Sequence, residues 1–458
     1  MNQIPNPIFL FRIAKSYYSD IDRIWRFNKE KLKKYQDKAL RKMVKYAYTV
    51  PLYKKKYKEH GIHPGDIKGI DDIHKLPLIT KNDLREHFPN GIIPEGVSTN
   101  RFWRLDTSGT TGKPLSIFRD LTTIAKDQII GLRCFKVCNY NLRKDRLTMM
   151  GAYTTPGRYD YAFYKGILGR LEKLLSVKNV QYVGYFFRDT EEKIEQMNKF
   201  NPKYLFGFPG DIKIIATYKK NGYVTFSPRC IVTSGGNLDN FSKEYIENIF
   251  NTRVFDAYTS VEMGTSAFQC EYGNYHVNSD IFYFEFIDDE KKPVPSGKPG
   301  HVVMTKLFGR GTPLIRYTGL EDIITPLYKK CSCGLETMLI KHIDGRTASY
   351  IILPDNKRVT PYAITANLNK VMHRLKSYKI LQSQIIQEKI DRIEIHIVID
   401  EKQRDKEPSI SRLFKEIRKE YQKIFGPEVE ITIKEVKEIK SKSDKPSPEV
   451  ISKVHSGY

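Results

Sequence analysis

From about residue 101 to residue 260 the chain alternates short apolar, β-branched runs with amphipathic stretches of helical period. Arg146–Tyr153, Tyr204–Phe208, Arg229–Thr233 and Arg253–Tyr258 read as strands. Asp211–Lys220 reads as a helix closed by Asn221-Gly222, Asn240–Phe250 as another, and a further helix begins near Leu121. Such alternation predicts a parallel sheet covered by helices. Beyond Tyr275 the apolar runs follow one another more directly, at His276–Ile287, His301–Leu307 and Pro313–Tyr317, which predicts a β-rich subdomain.

The two ends of the chain have a different pattern. Residues 5–60 are helical in period, with a break at Val50-Pro51, and residues 61–100 are punctuated by Pro and Gly around a short helix near Lys81–His87. This stretch reads as an N-terminal helical cap over residues 1–100. After Gly345-Arg346 come a helical segment Pro361–Leu375, a strand Arg392–Asp400, a helix Ser409–Phe425 and a strand Glu428–Val436. The expected fold is therefore α/β: a large domain over residues 1–345, and a small, mobile α+β lid domain over residues 346–458.

Composition agrees with two cores, since 458 residues at 40% hydrophobic content exceed what one compact unit usually holds. Apolar runs such as Pro7–Phe11 stop far short of the roughly 20 residues a spanning helix needs, and no segment resembles a signal peptide, so a cytoplasmic protein is expected. The net charge of +24 is concentrated at the start, where residues 1–60 carry 16 Lys or Arg against 5 Asp or Glu. Tyr17, Tyr18, Trp25, Phe27 and Tyr35 are interleaved with that charge. A nucleic-acid or anionic-lipid surface would use such a pattern, but no nucleic-acid fold signature accompanies it. Solvated lysine faces on packed helices are the better reading, with peripheral membrane contact left open.

The most specific chemistry lies in Thr107-Ser108-Gly109-Thr110-Thr111-Gly112-Lys113-Pro114. Glycines let backbone N–H groups approach phosphate oxygens, and the hydroxyls and Lys113 add donors. Only two residues separate Gly109 from Gly112, and Pro114 stands where a Walker loop has its magnesium-binding hydroxyl, so this is a phosphate loop of another kind.

That loop resembles the signature of the adenylate-forming superfamily of acyl-CoA synthetases, and other segments follow in the family's order. Asp256-Ala257-Tyr258-Thr259-Ser260-Val261-Glu262 is similar to the segment whose aromatic stacks on adenine and whose Glu binds the magnesium on ATP. Ser234-Gly235-Gly236-Asn237-Leu238 stands where the family has an adenine-contacting turn. Arg316-Tyr317-Thr318-Gly319-Leu320-Glu321-Asp322 resembles the element whose acid, here Asp322, holds the ribose hydroxyls. Gly345-Arg346 resembles the start of the interdomain hinge, and Lys445 falls where the family has a mobile catalytic lysine. The resemblance is closest to the phenylacetate-CoA ligase branch with its CapK-like proteins of capsular polysaccharide synthesis, through Leu76–Arg85 and Pro202–Pro209.

The resemblance implies an ATP- and Mg2+-dependent ligase that converts a carboxylic acid to its acyl-AMP and passes the acyl group to coenzyme A. Residues 107–114 would hold the pyrophosphate, with Thr111 and Lys113 acting alongside Glu262 and Lys445 in catalysis. Transfer to a sugar or cofactor acceptor is the alternative. An alternative of another class is a nucleotide-binding relic without turnover, suggested by the departures at Asn237 and Ala348 and around Lys445.

Six cysteines are too few for a disulfide scaffold in a chain of this length, so free thiols or metal ligands are expected. Cys331 and Cys333, one residue apart, with Cys270 and His276 earlier, offer the sulfur and nitrogen donors that suit tetrahedral zinc, and buried free thiols are the alternative. Relatives in the branch are similar here and hold a structural zinc. Cys134 and Cys138, one helical turn apart, read as core packing.

Overall fold

The computed structural model describes residues 7–107, 115–141, 144–153, 161–162, 179–186, 189–346, 350–377, 379–440 and 449–454. The cap consists of α1 (Pro7–Asp20), α2 (Arg23–Arg26), α3 (Lys29–Ala47), α4 (Pro51–Glu59) and α5 (Lys81–Glu86). In α3 the stripe Leu32, Gln36, Leu40, Met43, Val44, Ala47 is buried while Lys31, Lys34, Lys38 and Lys42 face solvent, which is why so basic a segment packs as an ordinary helix. Pro51 opens α4 at N1, where its missing N–H costs nothing. Of the cap's aromatics, Trp25 stacks on Phe268 at 5.8 Å and Tyr35 lies 4.6 Å under Arg23, while Phe11 and Tyr18 are exposed.

An ion cluster fastens this cap to the rest of the large domain. Fully buried Arg133 meets Asp280 at 2.7 Å, and Arg23 meets the same carboxylate at 2.7 Å and Asp20 at 2.6 Å. Burial opposes the charge on Asp280, but the two guanidiniums overcome it and hold the group below the usual carboxylate range.

Next come β1 (Trp103–Asp106) and β2 (Ser116–Arg119), an antiparallel pair whose intervening loop is residues 107–115. After α6 (Leu121–Gly131) the expected alternation appears: β3 (Leu147–Met150), β4 (Val180–Val183), α7 (Thr190–Phe200), β5 (Tyr204–Gly207), α8 (Pro209–Lys220), β6 (Cys230–Ser234), α9 (Asn240–Phe250) and β7 (Val254–Ser260). Strands β3 to β7 pair in parallel. The β-rich stretch does not form a separate sheet. Strands β8 (Gly264–Gln269), β9 (Tyr275–Val277), β10 (Phe282–Ile287), β11 (Gly300–Lys306), β12 (Asp322–Leu327) and β13 (Leu339–Arg346) continue antiparallel from β7. Together they make one 11-stranded sheet in the order β10-β11-β12-β13-β9-β8-β7-β6-β5-β3-β4.

Three expectations are corrected. His276–Ile287 is two strands, because Asn278 to Ile281 turn so that Asp280 reaches Arg133. Pro313–Tyr317 is not a strand: Arg316 has a φ of 47°, and Tyr317 makes only isolated bridges to Met304 and Ile79. Cys138 and Cys230 are joined in a disulfide, with Cα atoms 6.1 Å apart, so Cys138 is not the free core thiol expected. Parallel pairing places the start of β6 close enough to Cys138 for that bond.

The small domain has its own hydrophobic core, including Ile351, Ile364, Leu368, Ile395, Leu413 and Tyr421. It contains β14 (Ile351–Ile352), β15 (Arg358–Val359), α10 (Pro361–Arg374), β16 (Ile380–Lys389), β17 (Arg392–Ile399), α11 (Ile410–Phe425), β18 (Glu430–Glu435) and β19 (Val450–Ser452). Four of these strands form a sheet in the order β18-β17-β16-β19, with α10 and α11 packed together. No helix among the described residues is long and apolar enough to cross a membrane.

Candidate active site

In an open parallel sheet, ligands gather outside the carboxyl ends of the strands. Here the ends of β5, β6 and β7 carry Phe208, the Gly235-Gly236 turn and Thr259-Ser260. Ser234 Oγ and Thr259 Oγ1 lie 2.6 Å apart and tie two of these ends together. Gly235 has a φ of 80°, and a Cβ on Gly236 would come within 2.7 Å of the Phe208 ring, so both positions need glycine. Asn237 follows directly.

Tyr258 of β7 and Asp322 of β12 meet although three strands separate them in the sheet order, and the phenol donates to Asp322 Oδ2 at 2.5 Å. Asp256 is differently engaged from the ligand contact expected of it. Its two oxygens accept from Thr233 Oγ1 at 2.6 Å and Tyr275 Oη at 2.7 Å, and burial pushes its carboxyl up to about 6. It braces β6, β7 and β9 against one another.

Glu262 follows β7, in the turn that leads into β8. Its residue exposure is 6%, yet among the described residues its carboxylate has neither a hydrogen bond nor an ion pair. The turn itself is held from below: Arg119 Nη2 donates to the Glu262 carbonyl at 2.9 Å, and Lys306 Nζ to the Met263 carbonyl at 3.1 Å. Lys306 is paired with Asp127 at 2.7 Å, and burial lowers its pKa to about 8. Sequence reading missed Arg119, Asp127, Lys306 and Phe208. A lysine closing the apolar run Val302–Lys306 was the one signal available, since burial there demands a partner.

The base of the phosphate loop is tightly closed. Thr107 N donates to Leu115 O at 2.8 Å, Leu115 N to Thr107 Oγ1 at 2.9 Å, and Ser116 Oγ to Asp106 at 2.6 Å. Ser108, Gly109, Thr110, Thr111, Gly112, Lys113 and Pro114 lie outside the described residues, as do Ala348, Lys442 and Lys445. Arg346 is the cross-strand partner of Asp322, and the neighbouring Gly345, at φ 102°, lies against Pro361 at the start of α10.

Cys270, His276, Cys331 and Cys333 converge at the β9–β13 seam, with their ligand atoms all within 4.8 Å of one another. Cys270 and Cys331 sulfurs are 3.7 Å apart, close to the about 3.8 Å edge of a tetrahedron with Zn–S bonds of about 2.3 Å. His276 presents Nε2 to Cys333 Sγ at 3.1 Å while Nδ1 meets Thr337 Oγ1 at 2.9 Å, the outer hydrogen bond that orients a metal-binding imidazole. Burial keeps His276 neutral, with its pKa near 4. The donor set and its spacing fit a zinc ion.

The comparisons with known proteins agree with this architecture. The CapK C-terminal domain family matches residues 354–446. The phenylacetate-coenzyme A ligase of Thermus thermophilus is 26% identical over 376 residues, spanning 77% of this chain and 78% of its own. Protein CapK of Staphylococcus aureus is 26% identical over 432 residues, spanning 91% and 89%. Among solved structures, 2-hydroxyisobutyryl-CoA ligase in the postadenylation state superposes with a TM-score of 0.74 at 20% identity, covering 92% of this chain and 90% of that one. In the thioesterification state the same enzyme gives a TM-score of 0.60. The fold is that of the adenylate-forming ligases. In sequence the chain is similar to phenylacetate-CoA ligases and to CapK.

Proposed function

We propose that the protein is an AMP-forming ligase that activates a carboxylic acid with ATP and Mg2+ and transfers the acyl group to coenzyme A. One observation carries the reading: among the described residues the side chain of Glu262, a residue only 6% exposed, has neither a hydrogen bond nor an ion pair, and it stands at the strand ends, two residues beyond β7 and near the Tyr258–Asp322 pair. A carboxylate in that state fits a cation delivered with a nucleotide. Magnesium held there would neutralise phosphate charge.

In this mechanism the carboxylic acid attacks the α-phosphorus of ATP and pyrophosphate leaves. Residues 107–114 hold the departing phosphates, with donors from Thr111 and Lys113. Tyr258 faces the adenine beside Thr259, Ser260 and the Gly235-Gly236-Asn237 turn, and Asp322 holds the ribose. Lys445 steadies the charge shared by carboxylate and α-phosphate in the transition state. Rotation of the small domain, residues 346–458, about the Gly345-Arg346 junction then presents the acceptor. The arrangement described here, nearer in TM-score to the postadenylation state of the CoA ligase than to its thioesterification state, supports such an alternation. Cys270, His276, Cys331 and Cys333 would hold a structural zinc, which would tie β9 to the Cys331–Cys333 turn.

A second reading, with a sugar or cofactor hydroxyl or amine in place of coenzyme A, is favoured by the small domain. It matches the CapK C-terminal domain, and CapK aligns over more of this chain than the T. thermophilus ligase does. The test is ATP–pyrophosphate exchange screened over aryl, fatty and amino acids, followed by an assay for thioester with coenzyme A. Exchange with thioester supports the first reading, and exchange without it the second. No exchange with any acid, under conditions where ATP binds, would leave a nucleotide-binding relic.

A further inference from the structure

The Glu262 turn is supported in an unusual way. Its two central carbonyls, of Glu262 and Met263, accept hydrogen bonds from cations carried by distant elements: Arg119 from the end of β2 and Lys306 from the end of β11. Arg119 is 2% exposed and Lys306 1%. The second amino group of Arg119 donates to the Thr312 carbonyl, so one rigid guanidinium spans two backbone segments. Asp127 accepts from Lys306 through both oxygens, at 2.8 and 2.7 Å. The backbone at Gly264, φ 75°, passes so close to Asp127 that a Cβ there would meet it at 3.3 Å. The turn is therefore gripped at three consecutive residues.

The origin of Arg119 matters as much as its contact. Strand β2 is the strand by which the chain returns from the phosphate loop, and its residue Ser116 closes the base of that loop on Asp106. One short strand thus carries the loop at its beginning and, at its end, the donor that fixes the carbonyl of Glu262. Hydrogen bonds from ionised donors are about twice as strong as neutral ones, and buried ones are not weakened by competing water.

We infer that Arg119 is a positioning residue that fixes the Glu262 turn to strand β2 and to the Thr312 backbone, with the Lys306–Asp127 pair as its second support, so that the carboxylate meets its metal from a fixed position. This rests on the reading of Glu262 as the metal-placing carboxylate. A brace of general stability would support the fold alike with and without metal. A brace for the carboxylate should matter when metal is present.

The experiment measures ATP binding by titration calorimetry, in excess Mg2+ and in EDTA, for the wild type, Glu262→Gln, Arg119→Gln and Arg119→Lys. Glu262→Gln is the reference: it should abolish most of the gain in affinity that Mg2+ confers, and an unchanged gain would overturn the Glu262 reading itself. Given that loss, Arg119→Gln should reduce the Mg2+-dependent gain about tenfold while leaving affinity in EDTA within about twofold, and Arg119→Lys should recover part of it. A full Mg2+ gain in Arg119→Gln, or an equal loss with and without metal, would overturn the inference while leaving the Glu262 reading intact. Should Arg119→Gln fail to fold, the same comparison on Arg119→Lys decides, since a single ammonium cannot reach both the Thr312 and Glu262 carbonyls as the fork does.

Discussion

Tyr258 Oη and Asp322 Oδ2 are 2.5 Å apart, so the aromatic side chain at the end of the parallel half of the sheet and the first acid of β12 form one unit. Removing only the hydroxyl separates the effect of that bond from the effect of the ring. Tyr258→Phe should fold, lose about 1 to 2 kcal/mol of stability, and raise the KM for ATP about fivefold to tenfold, because Asp322 is no longer oriented. Steady-state kinetics with thermal unfolding on the same preparation checks it. A normal KM would mean that Asp322 needs no help from the phenol.

The catalytic role proposed for Lys445 can be tested against its neighbour. Lys445→Ala should slow acyl-AMP formation on the order of a hundredfold, with ATP binding changed far less and transfer from pre-formed acyl-AMP retained. Lys442→Ala, three residues away with the same charge, should stay near wild type. Equal losses in single-turnover assays of both variants would point to a general effect of basic charge.

The small domain is held in its present orientation by Asn369 of α10, which accepts from Lys213 of α8 at 2.7 Å and donates to Asp239 at 2.7 Å. Asp239 also caps α9, and burial lowers the pKa of Lys213, so these groups have little water to replace a lost partner. Asn369→Ala should therefore slow adenylation more than it slows acyl transfer from pre-formed acyl-AMP. Rates of the two half-reactions measured separately give the ratio, and parallel losses would count against a role specific to this orientation.

Zinc analysis of protein purified without chelators should give close to one ion per chain. Cys331→Ser should lower the melting temperature while leaving nucleotide affinity nearly unchanged, because the cluster lies at the β9–β13 seam and not at the strand ends. Absence of zinc, with normal stability in that variant, would return the four groups to ordinary packing.

Acid should release the cap first. The pKa of Asp20 is lowered to about 2, since Lys126, Ser16, Arg23 and Ser19 together outweigh the opposing effect of burial, the largest single influence, and that of Asp280 is lowered as well. Carboxylates depressed in the folded state contribute stability that is complete above their ordinary pKa near 4 and is lost as pH falls toward 2. Tryptophan fluorescence from Trp25, stacked on Phe268, should follow that loss. Arg133→Met, which leaves the buried Asp280 with Arg23 as its remaining guanidinium partner, should destabilise the fold and move the acid transition upward. An unshifted acid midpoint would show that the cluster is not what limits acid stability.

What was legible in the sequence was what depends on local order. Helix Asn240–Phe250 and the start of α10 at Pro361 could be read from period and caps, because their stabilising faces recur along the chain. Tyr258, Glu262 and Asp322 were singled out by the order of segments that resemble a known family, and of these the structure joins Tyr258 to Asp322 in a hydrogen bond. The continuity of the two halves of the sheet was hidden, since the pairing of β13 with β9 joins segments far apart in sequence. So were Arg119 and Lys306, whose contacts to the Glu262 turn are made to backbone carbonyls that carry no residue identity. The Cys138–Cys230 bond was hidden for the same reason, a sequence separation of 92 residues bridged only by parallel pairing.

The pairing of Asp322 with Arg346 has a mechanical consequence for a lid that turns at this junction. A rotating body displaces each atom in proportion to its distance from the fulcrum. The fulcrum here is hydrogen-bonded, through the β12–β13 ladder, to the strand that begins with Asp322. Atoms of the lid farther out would travel long arcs while Asp322, proposed to anchor the ribose beside the pivot, stays almost still. Such a lever can exchange one face of the lid for another without letting go of the molecule it works on.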